Sequence, residues 1–196
     1  MSEPYDAPFG LLAEWLAAAT EAELRVPDAM QLATVGDDGR PQVRTVLLKG
    51  HGPRDGLVFY TNYGSRKASA LGANQGGAIC LHWKSLARQI LVEGRIERAD
   101  DATSDTYFAT RERGSQIGAW ASRQSEAIPS GDAFAERIRQ IEDRFRDRPV
   151  ERPEFWGGYR LIPDRFEFWL GQQDRLHDRD LYLRNGDGWS VTPLYP

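Results

Sequence analysis

Apolar and polar positions along the chain follow two periods, and the places where one gives way to the other mark most of the elements. Residues 9–24 carry Leu12, Trp15, Leu16 and Ala19 at helical spacing with little β-branched content, which predicts an amphipathic first helix. From Met30 the period shortens. Residues 30–35, 43–49 and 57–61 are short, β-rich runs separated by Gly36-Asp37-Asp38-Gly39 and Gly52-Pro53-Arg54-Asp55-Gly56, the pattern of antiparallel strands joined by turns. Ser65 stands before Arg66-Lys67-Ala68-Ser69-Ala70-Leu71, where its hydroxyl can cap a short helix that Gly72 and Asn74 end. Strands are predicted over 78–83 and 89–97, then helices over 100–113 and 132–146, the second with Phe134, Ile138, Ile141 and Phe145 as its apolar stripe. The strand signal returns at 159–162, 166–170, 180–184 and 189–192, the last two linked by the hairpin-like Asn185-Gly186-Asp187-Gly188. Roughly eight or nine strands with few helices between consecutive ones predict a mainly β fold with peripheral helices (α+β), an antiparallel barrel rather than a parallel doubly wound sheet.

Length and composition narrow this further. At 196 residues one domain is expected, a helical segment over 1–26 leading into a barrel with inserted helices over 27–192. Hydrophobic residues make up 40% of the chain and include six Trp, enough for one packed core. The 25 basic and 29 acidic side chains give a net charge of -4, which argues against a general polyanion binder, so nucleic acid is not an expected partner and any phosphate recognition must be local. Apolar runs such as 45–48 are far shorter than the ~18 residues that span a bilayer, and Met1-Ser2-Glu3-Pro4 opens no secretory signal, so no membrane association and a cytoplasmic location are expected. The single cysteine, Cys80, forms no internal disulfide and supplies no thiolate cage, and with only His51, His82 and His177 no metal site is expected.

The phosphate loop GxxxxGK[ST], the strand-to-helix GxGxxG, HExxH and GxSxG are all missing. The informative feature is cations placed where a fold should be apolar or turning. In Arg44-Thr45-Val46-Leu47-Leu48-Lys49 two charges bracket a strand-like run. Alternation over five positions sends them to opposite faces, either into solvent through long stems or toward two different anionic partners. Tyr60-Thr61-Asn62-Tyr63-Gly64-Ser65-Arg66-Lys67 leads from a strand through a turn into a helix start, which reads as an anion cradle or as a solvated basic turn. Tyr107, Arg111 and Ser115 recur every four residues, so one helix would face them together as a second phosphate pocket or as an ordinary surface. Arg175-Leu176-His177-Asp178-Arg179 follows the aromatic strand 166–169 and suits either a planar charged ligand or a salt-bridged turn.

These segments, in this order, resemble the pyridoxine (pyridoxamine) 5'-phosphate oxidase family. The likeness extends over about residues 27–192 and includes Arg44 through Gly50, Phe59-Tyr60-Thr61-Asn62, Ser65-Arg66-Lys67, Val92-Glu93-Gly94, Ser115-Gln116-Ile117-Gly118-Ala119, Gln124-Ser125, Phe155-Trp156-Gly157-Gly158-Tyr159, Glu167-Phe168-Trp169 and Arg175 through Arg179. The resemblance implies an FMN-binding split β-barrel, working as a homodimer with each flavin between subunits. It implies FMN contacts at Arg44, Thr45, Val46, Leu47, Leu48, Lys49, Tyr60, Thr61, Arg66, Lys67, Gln89, Gln124, Ser125, Trp169 and Arg179. It implies a substrate set of Lys49, Tyr107, Arg111, Ser115, Arg175, Leu176 and His177, with Arg175 and His177 as the catalytic pair. The implied reaction oxidises pyridoxine or pyridoxamine 5'-phosphate with oxygen and releases hydrogen peroxide. The alternatives on the same fold are a non-catalytic binder of FMN or pyridoxal phosphate, and an oxidoreductase with another substrate.

Three departures accompany the resemblance. Leu170 follows Glu-Phe-Trp where the family commonly has Gln. The chain ends Pro193-Leu194-Tyr195-Pro196 without the arginine of the usual ending, and the segment before Pro27 is short and lacks a basic stretch.

Overall fold

The computed structural model describes residues 2–22 and 25–196. Strand β1 (Ser2–Pro4) and helix α1 (Ala7–Ala22) precede β2 (Ala29–Val35), β3 (Pro41–Leu47), β4 (Gly50–Gly52) and β5 (Gly56–Asn62). Helix α2 (Arg66–Ala73) leads into β6 (Gly76–Trp83) and β7 (Arg88–Arg98). Helices α3 (Asp101–Thr110), α4 (Arg113–Ala121) and α5 (Ala133–Arg144) then precede β8 (Trp156–Leu170), β9 (Asp178–Asn185) and β10 (Gly188–Pro193).

Every strand pairing is antiparallel, and the sheet runs β1-β10-β9-β8-β7-β6-β2-β3 with β4 and β5 branching from β8. The branch makes a split barrel. The first half of β8 pairs with β5 (Trp156↔Asn62 through Leu161↔Leu57), whereas its second half pairs with β9 (Arg165↔Leu183 through Leu170↔Asp178), and β7 follows it along the other edge. A register shift opposite Glu93 and Gly94 of β7, where β8 carries the extra residue Asp164, accommodates the change of direction. The far ends meet where the Lys49 amide donates to the Val58 carbonyl of β5 at 2.8 Å.

Alternating inward side chains fill the barrel: Leu32, Phe59, Ile79, Leu81, Ile90, Val92, Leu161 and Phe166 are all buried, and α1 closes one end with Phe9, Leu12 and Trp15. Each such side chain contributes about 1.5–3 kcal/mol of transfer free energy. A second cluster, Phe108, Ile117, Phe145, Val150 and Trp156, holds α3, α4 and α5 against the start of β8.

Several expectations need correction. Residues 100–113 are not one helix. Arg111 leaves the helical region at φ −73°, ψ 146°, and a second helix, α4, starts at Arg113. The Ser65 hydroxyl caps no amide of α2; it accepts from Lys67 Nζ instead, and Gly72 lies inside the helix, which ends at Asn74. The runs 159–162 and 166–170 are a single strand, because Pro163 sits beside a bulge of its own strand at Asp164 and interrupts nothing else. The N-terminal segment begins with a strand on β10 rather than a helix. Helix α1 ends at Ala22, and the last two positions of the expected 9–24 helix, Glu23 and Leu24, lie outside the described residues.

Gly56 starts β5 at φ +69°, and a Cβ there would meet the Leu161 carbonyl oxygen across the ladder at 2.3 Å. Gly56→Ala combines left-handed strain with a backbone clash, so a loss of about 3 kcal/mol is expected. For a chain of this size that lowers Tm by roughly 6–12 °C. Thermal unfolding followed by circular dichroism checks it, and an unchanged Tm would mean the turn relaxes freely.

Candidate functional site

Strand alternation sorts the side chains of β3. Gln42, Arg44 and Val46 share the half-buried face, while Val43, Thr45 and Leu47 share the exposed one. The strand stops at Leu47, so counting an odd step from Arg44 to Lys49 does not apply. The Leu48 amide bonds Asp28, the Leu48 side chain enters the core, and Lys49 emerges where the chain crosses to β5.

Two cavities open beside β3. The larger, about 460 Å³, takes Thr45, Val46, Leu47 and Lys49 from this segment, Tyr60 and Thr61 from β5, and Lys67 from α2. Its opposite wall consists of Tyr107 on α3, Arg111 between the helices, Ser115 on α4, Gln124 beyond it and Trp156 at the start of β8. Tyr107, Arg111 and Ser115 thus converge although no single helix carries them. The smaller cavity, about 410 Å³, is lined by Arg44, Arg66, Lys67 and Ser125 with Pro41, Gln42 and Val43, so Lys67 faces both.

The smaller cavity is electrostatically unbalanced. Arg44 donates to the Leu32 carbonyl (3.0 Å), Thr34 Oγ1 (2.8 Å) and Gln42 Oε1 (3.2 Å), all neutral acceptors. Lys67 Nζ donates to Gln124 Oε1 (2.9 Å), Thr61 Oγ1 (3.1 Å) and Ser65 Oγ (3.3 Å), again without a carboxylate. Burial lowers the pKa of Arg44, and the charge of Arg66 lowers it further. Burial likewise lowers that of Lys67, with Arg44 adding to the effect. The charge of Arg66 acts against that of Arg44, and Arg44 against that of Lys67, which a bound dianion reverses. The Arg66 amide, in the first turn of α2, accepts no help from a cap box; it donates to Ser125 Oγ at 3.2 Å, and Ser125 itself sits at φ +77°.

In the larger cavity Lys49 Nζ pairs with Asp28 at 2.6 Å. Arg111 has no such partner. Its Nη1 is a buried side-chain nitrogen with no hydrogen bond, and burial lowers its pKa. The ring of Tyr107 stacks on Tyr60 at 3.8 Å between centroids, so a predicted substrate contact and a predicted flavin contact form one aromatic slab. Trp156 continues it, 5.5 Å from Tyr60 and tilted by 8°. Trp156 belongs to a segment that carried the family resemblance, yet sequence reasoning gave it no role. Its signal was an aromatic beside Gly157-Gly158, where a Cβ at residue 158 would stand 3.0 Å from Tyr60 Cε1.

The remaining predicted residues form a separate group that lines neither cavity. Gln89 of β7, Trp169 of β8 and Arg179 of β9 stand directly opposite one another across three strands and share a face. Arg179 gives two hydrogen bonds to Glu167 Oε1 (2.9 and 2.7 Å) and one to the Tyr195 carbonyl (2.9 Å), so residues 193–196 meet this site through their main chain. His177 lies over Trp169 with centroids 4.6 Å apart, and its Nδ1 accepts the Gln172 amide at 3.2 Å. That bond leaves Nε2 to carry the proton of the neutral ring. Arg175 and Leu176 are exposed on the turn before β9, Arg175 at φ +62° and Leu176 67% exposed.

The family model described as pyridoxamine 5'-phosphate oxidase matches residues 16–145, and that described as the pyridoxine 5'-phosphate oxidase C-terminal dimerisation region matches residues 156–196. A Rubrobacter xylanophilus protein named pyridoxine/pyridoxamine 5'-phosphate oxidase is 52% identical over 96% of this chain and 87% of its own length. One of the same name from Sphingopyxis alaskensis is 50% identical over 97% and 88%. Among solved structures, PhzG from Burkholderia lata 383, in complex with tetrahydrophenazine-1-carboxylic acid, superposes with a TM-score of 0.90 at 31% identity, covering 96% of this chain and 92% of that one.

Proposed function

The chain belongs to the pyridoxamine 5'-phosphate oxidase family, and from that premise we propose that it oxidises pyridoxine or pyridoxamine 5'-phosphate to pyridoxal 5'-phosphate. FMN is the cofactor, and oxygen is the proposed final acceptor. The alcohol and oxygen give the aldehyde and hydrogen peroxide; the amine, oxygen and water give the aldehyde, ammonia and peroxide. The observation that carries the reading is Arg111: a guanidinium nitrogen, buried and without a hydrogen-bond partner among the described residues, shares one cavity with Lys49, Tyr107 and Ser115, a donor set that suits a phosphate.

The donor set fits FMN as well. Arg44, Arg66 and Lys67 are uncompensated cations suited to its phosphate, with Ser125 beside them, and the slab headed by Tyr60 supplies a flat wall. When bound, FMN supplies the two-electron acceptor for the oxidation. Lys49, Tyr107, Arg111 and Ser115 hold the substrate phosphate and thereby fix the pyridine ring at one distance from it. Arg175 and His177 orient the ring and its reacting substituent. Arg is suited to lying along a ring because it is planar and stays charged.

In one chain the cavity and the Gln89, Trp169, Arg175, His177 and Arg179 group are separate, so this reading requires a homodimer in which the partner subunit supplies the second group. Support comes from the dimerisation region matched over 156–196, which contains all of that group except Gln89. A cytoplasmic setting is part of the proposal; Cys80 is a free thiol that burial pushes up in pKa, as suits a reducing compartment.

The purified protein is expected to be yellow and to convert pyridoxine 5'-phosphate in air to aldehyde and peroxide in equal amounts. Bound flavin without turnover would favour a binding protein. The likeness to PhzG favours a second reading, oxidation of a reduced tricyclic acid, and turnover of such a compound in preference to both vitamin phosphates would establish it.

Lys67 gives a pH test. In the flavin-free protein its pKa is lowered, chiefly by burial. A bound phosphate raises it again, so flavin binding takes up a proton between those two values. Affinity for FMN should be flat below the lowered value, fall with rising pH through the window, and level off above it. Lys67→Ala is expected to weaken FMN binding about 10- to 100-fold, the worth of one charge-assisted hydrogen bond, and to flatten this profile. Fluorescence titration of FMN measures both.

A further inference from the structure

We propose that Trp156 is a positioning residue for the phosphate site: its ring is the platform that holds the Arg111 guanidinium in place without occupying its N–H donors. The inference rests on the phosphate-binding reading of the larger cavity and gives Trp156, so far only part of its wall, a part in holding the phosphate.

A cation that must receive a substrate anion faces a conflict. Left unrestrained, it samples many rotamers and binds weakly; tied to a carboxylate, it is fixed but already neutralised. Elsewhere in this chain the second arrangement is common. Arg160 is paired with Glu97, and Arg165 with Glu167. Arg111 differs from both. Its Nη1 is buried with no hydrogen bond, yet Cζ lies 4.6 Å from the Trp156 ring centroid and 5.6 Å from that of Phe108. Attraction between cation and ring face fixes the plane of the guanidinium while its N–H groups, which point along that plane, stay free for phosphate oxygens.

The platform is itself rigid. Trp156 is 7% exposed and packs edge-on against Phe108 at 5.2 Å. On its cavity side it runs parallel to Tyr60 and to Tyr107, with interplanar angles of 8° and 5°. Its carbonyl accepts from Arg152 Nη1 at 2.7 Å. Arg152 in turn pairs with Asp101 (2.8 Å) and Asp105 (2.6 Å) of α3, the helix that carries Tyr107 and ends at Arg111. The Arg152 side chain is 9% exposed, although its two carboxylate partners face solvent. Platform and guanidinium are therefore held in one frame by a second arginine whose charge is fully spent on structure.

The test compares Trp156→Leu and Trp156→Phe in the FMN-loaded dimer. Trp156→Leu removes the π face, and KM for pyridoxine 5'-phosphate should rise about tenfold while kcat changes less than about twofold. Trp156→Phe keeps a smaller face and should recover most of the loss, leaving KM within about threefold of the parent. Turnover of pyridoxine without its phosphate should fall far less than turnover of the phosphorylated compound in both variants. Equal losses on the phosphorylated and unphosphorylated compounds, or a Phe variant as impaired as Leu, would overturn the proposal. Should Trp156→Leu fail to fold, the Phe variant decides, because a change concentrated on the phosphorylated compound is still expected. Titration with pyridoxal 5'-phosphate reads the same platform without turnover. A parent protein that binds it but oxidises nothing would refute the oxidase reading while leaving the Trp156 comparison intact.

Discussion

Arg111→Met is expected to lower kcat/KM for pyridoxine 5'-phosphate by about 100- to 1000-fold, the loss of roughly 3–4 kcal/mol when two charge-assisted hydrogen bonds to phosphate disappear. Methionine suits the test because it fills much of the vacated space with a flexible apolar chain, so the residue is lost as a donor without opening a void. The fold should tolerate the change. Arg111 gives up no hydrogen bond from Nη1, and removing a buried cation whose pKa burial has lowered relieves desolvation. A variant with normal flavin content, near-normal Tm and collapsed kcat/KM would place the defect at the substrate. Turnover of pyridoxine lacking the phosphate should fall far less, which separates a phosphate-specific loss from a general one. A loss below tenfold on the phosphorylated compound would show that Arg111 is a buried structural cation.

That residue also shows what the sequence could and could not disclose. The four-residue spacing of Tyr107, Arg111 and Ser115 suggests one helix face, and the three do meet in one cavity, but by another route. The chain leaves α3 at Arg111 and re-enters a helix at Arg113, so the convergence is tertiary. Nothing in the local periodicity marks that break, because Arg111, Glu112 and Arg113 are all acceptable helix formers. The longer strands are legible to within a few residues, since half-buried strands alternate visibly, as β3 does, whereas the three-residue strands β1 and β4 are too short to show a period. The continuity of β8 is not legible either. Pro163 reads as a terminator unless its own strand is known to bulge at Asp164, and that depends on register with β7. For the same reason Trp156 went unassigned. Its role depends on facing Arg111 across a distance of 45 residues in sequence, a relation that only the packed structure contains.

The separation of the two residue groups leads to the last expected result. Arg175→Ala should reduce kcat about 100- to 1000-fold with flavin retained, since Arg175 lies outside both cavities while its proposed work is on the bound substrate. If each site combines the cavity of one subunit with the Arg175 turn of its partner, two inactive variants can repair each other. In a hybrid dimer of Arg111→Met and Arg175→Ala, one site receives both lesions, and the other receives the intact Arg111 of one chain and the intact Arg175 of the other. Random reassortment makes half the dimers hybrids with one good site of two, so a mixture of two nearly dead proteins should regain about a quarter of parental activity. Co-expression with two different affinity tags, followed by sequential purification of the hybrid, raises the expected value to about half. Sites built within single chains predict no recovery at all, because every site would then carry one lesion or the other. The measurement therefore tests the shared site directly, and it does so through restored turnover, a gain that misfolding does not mimic.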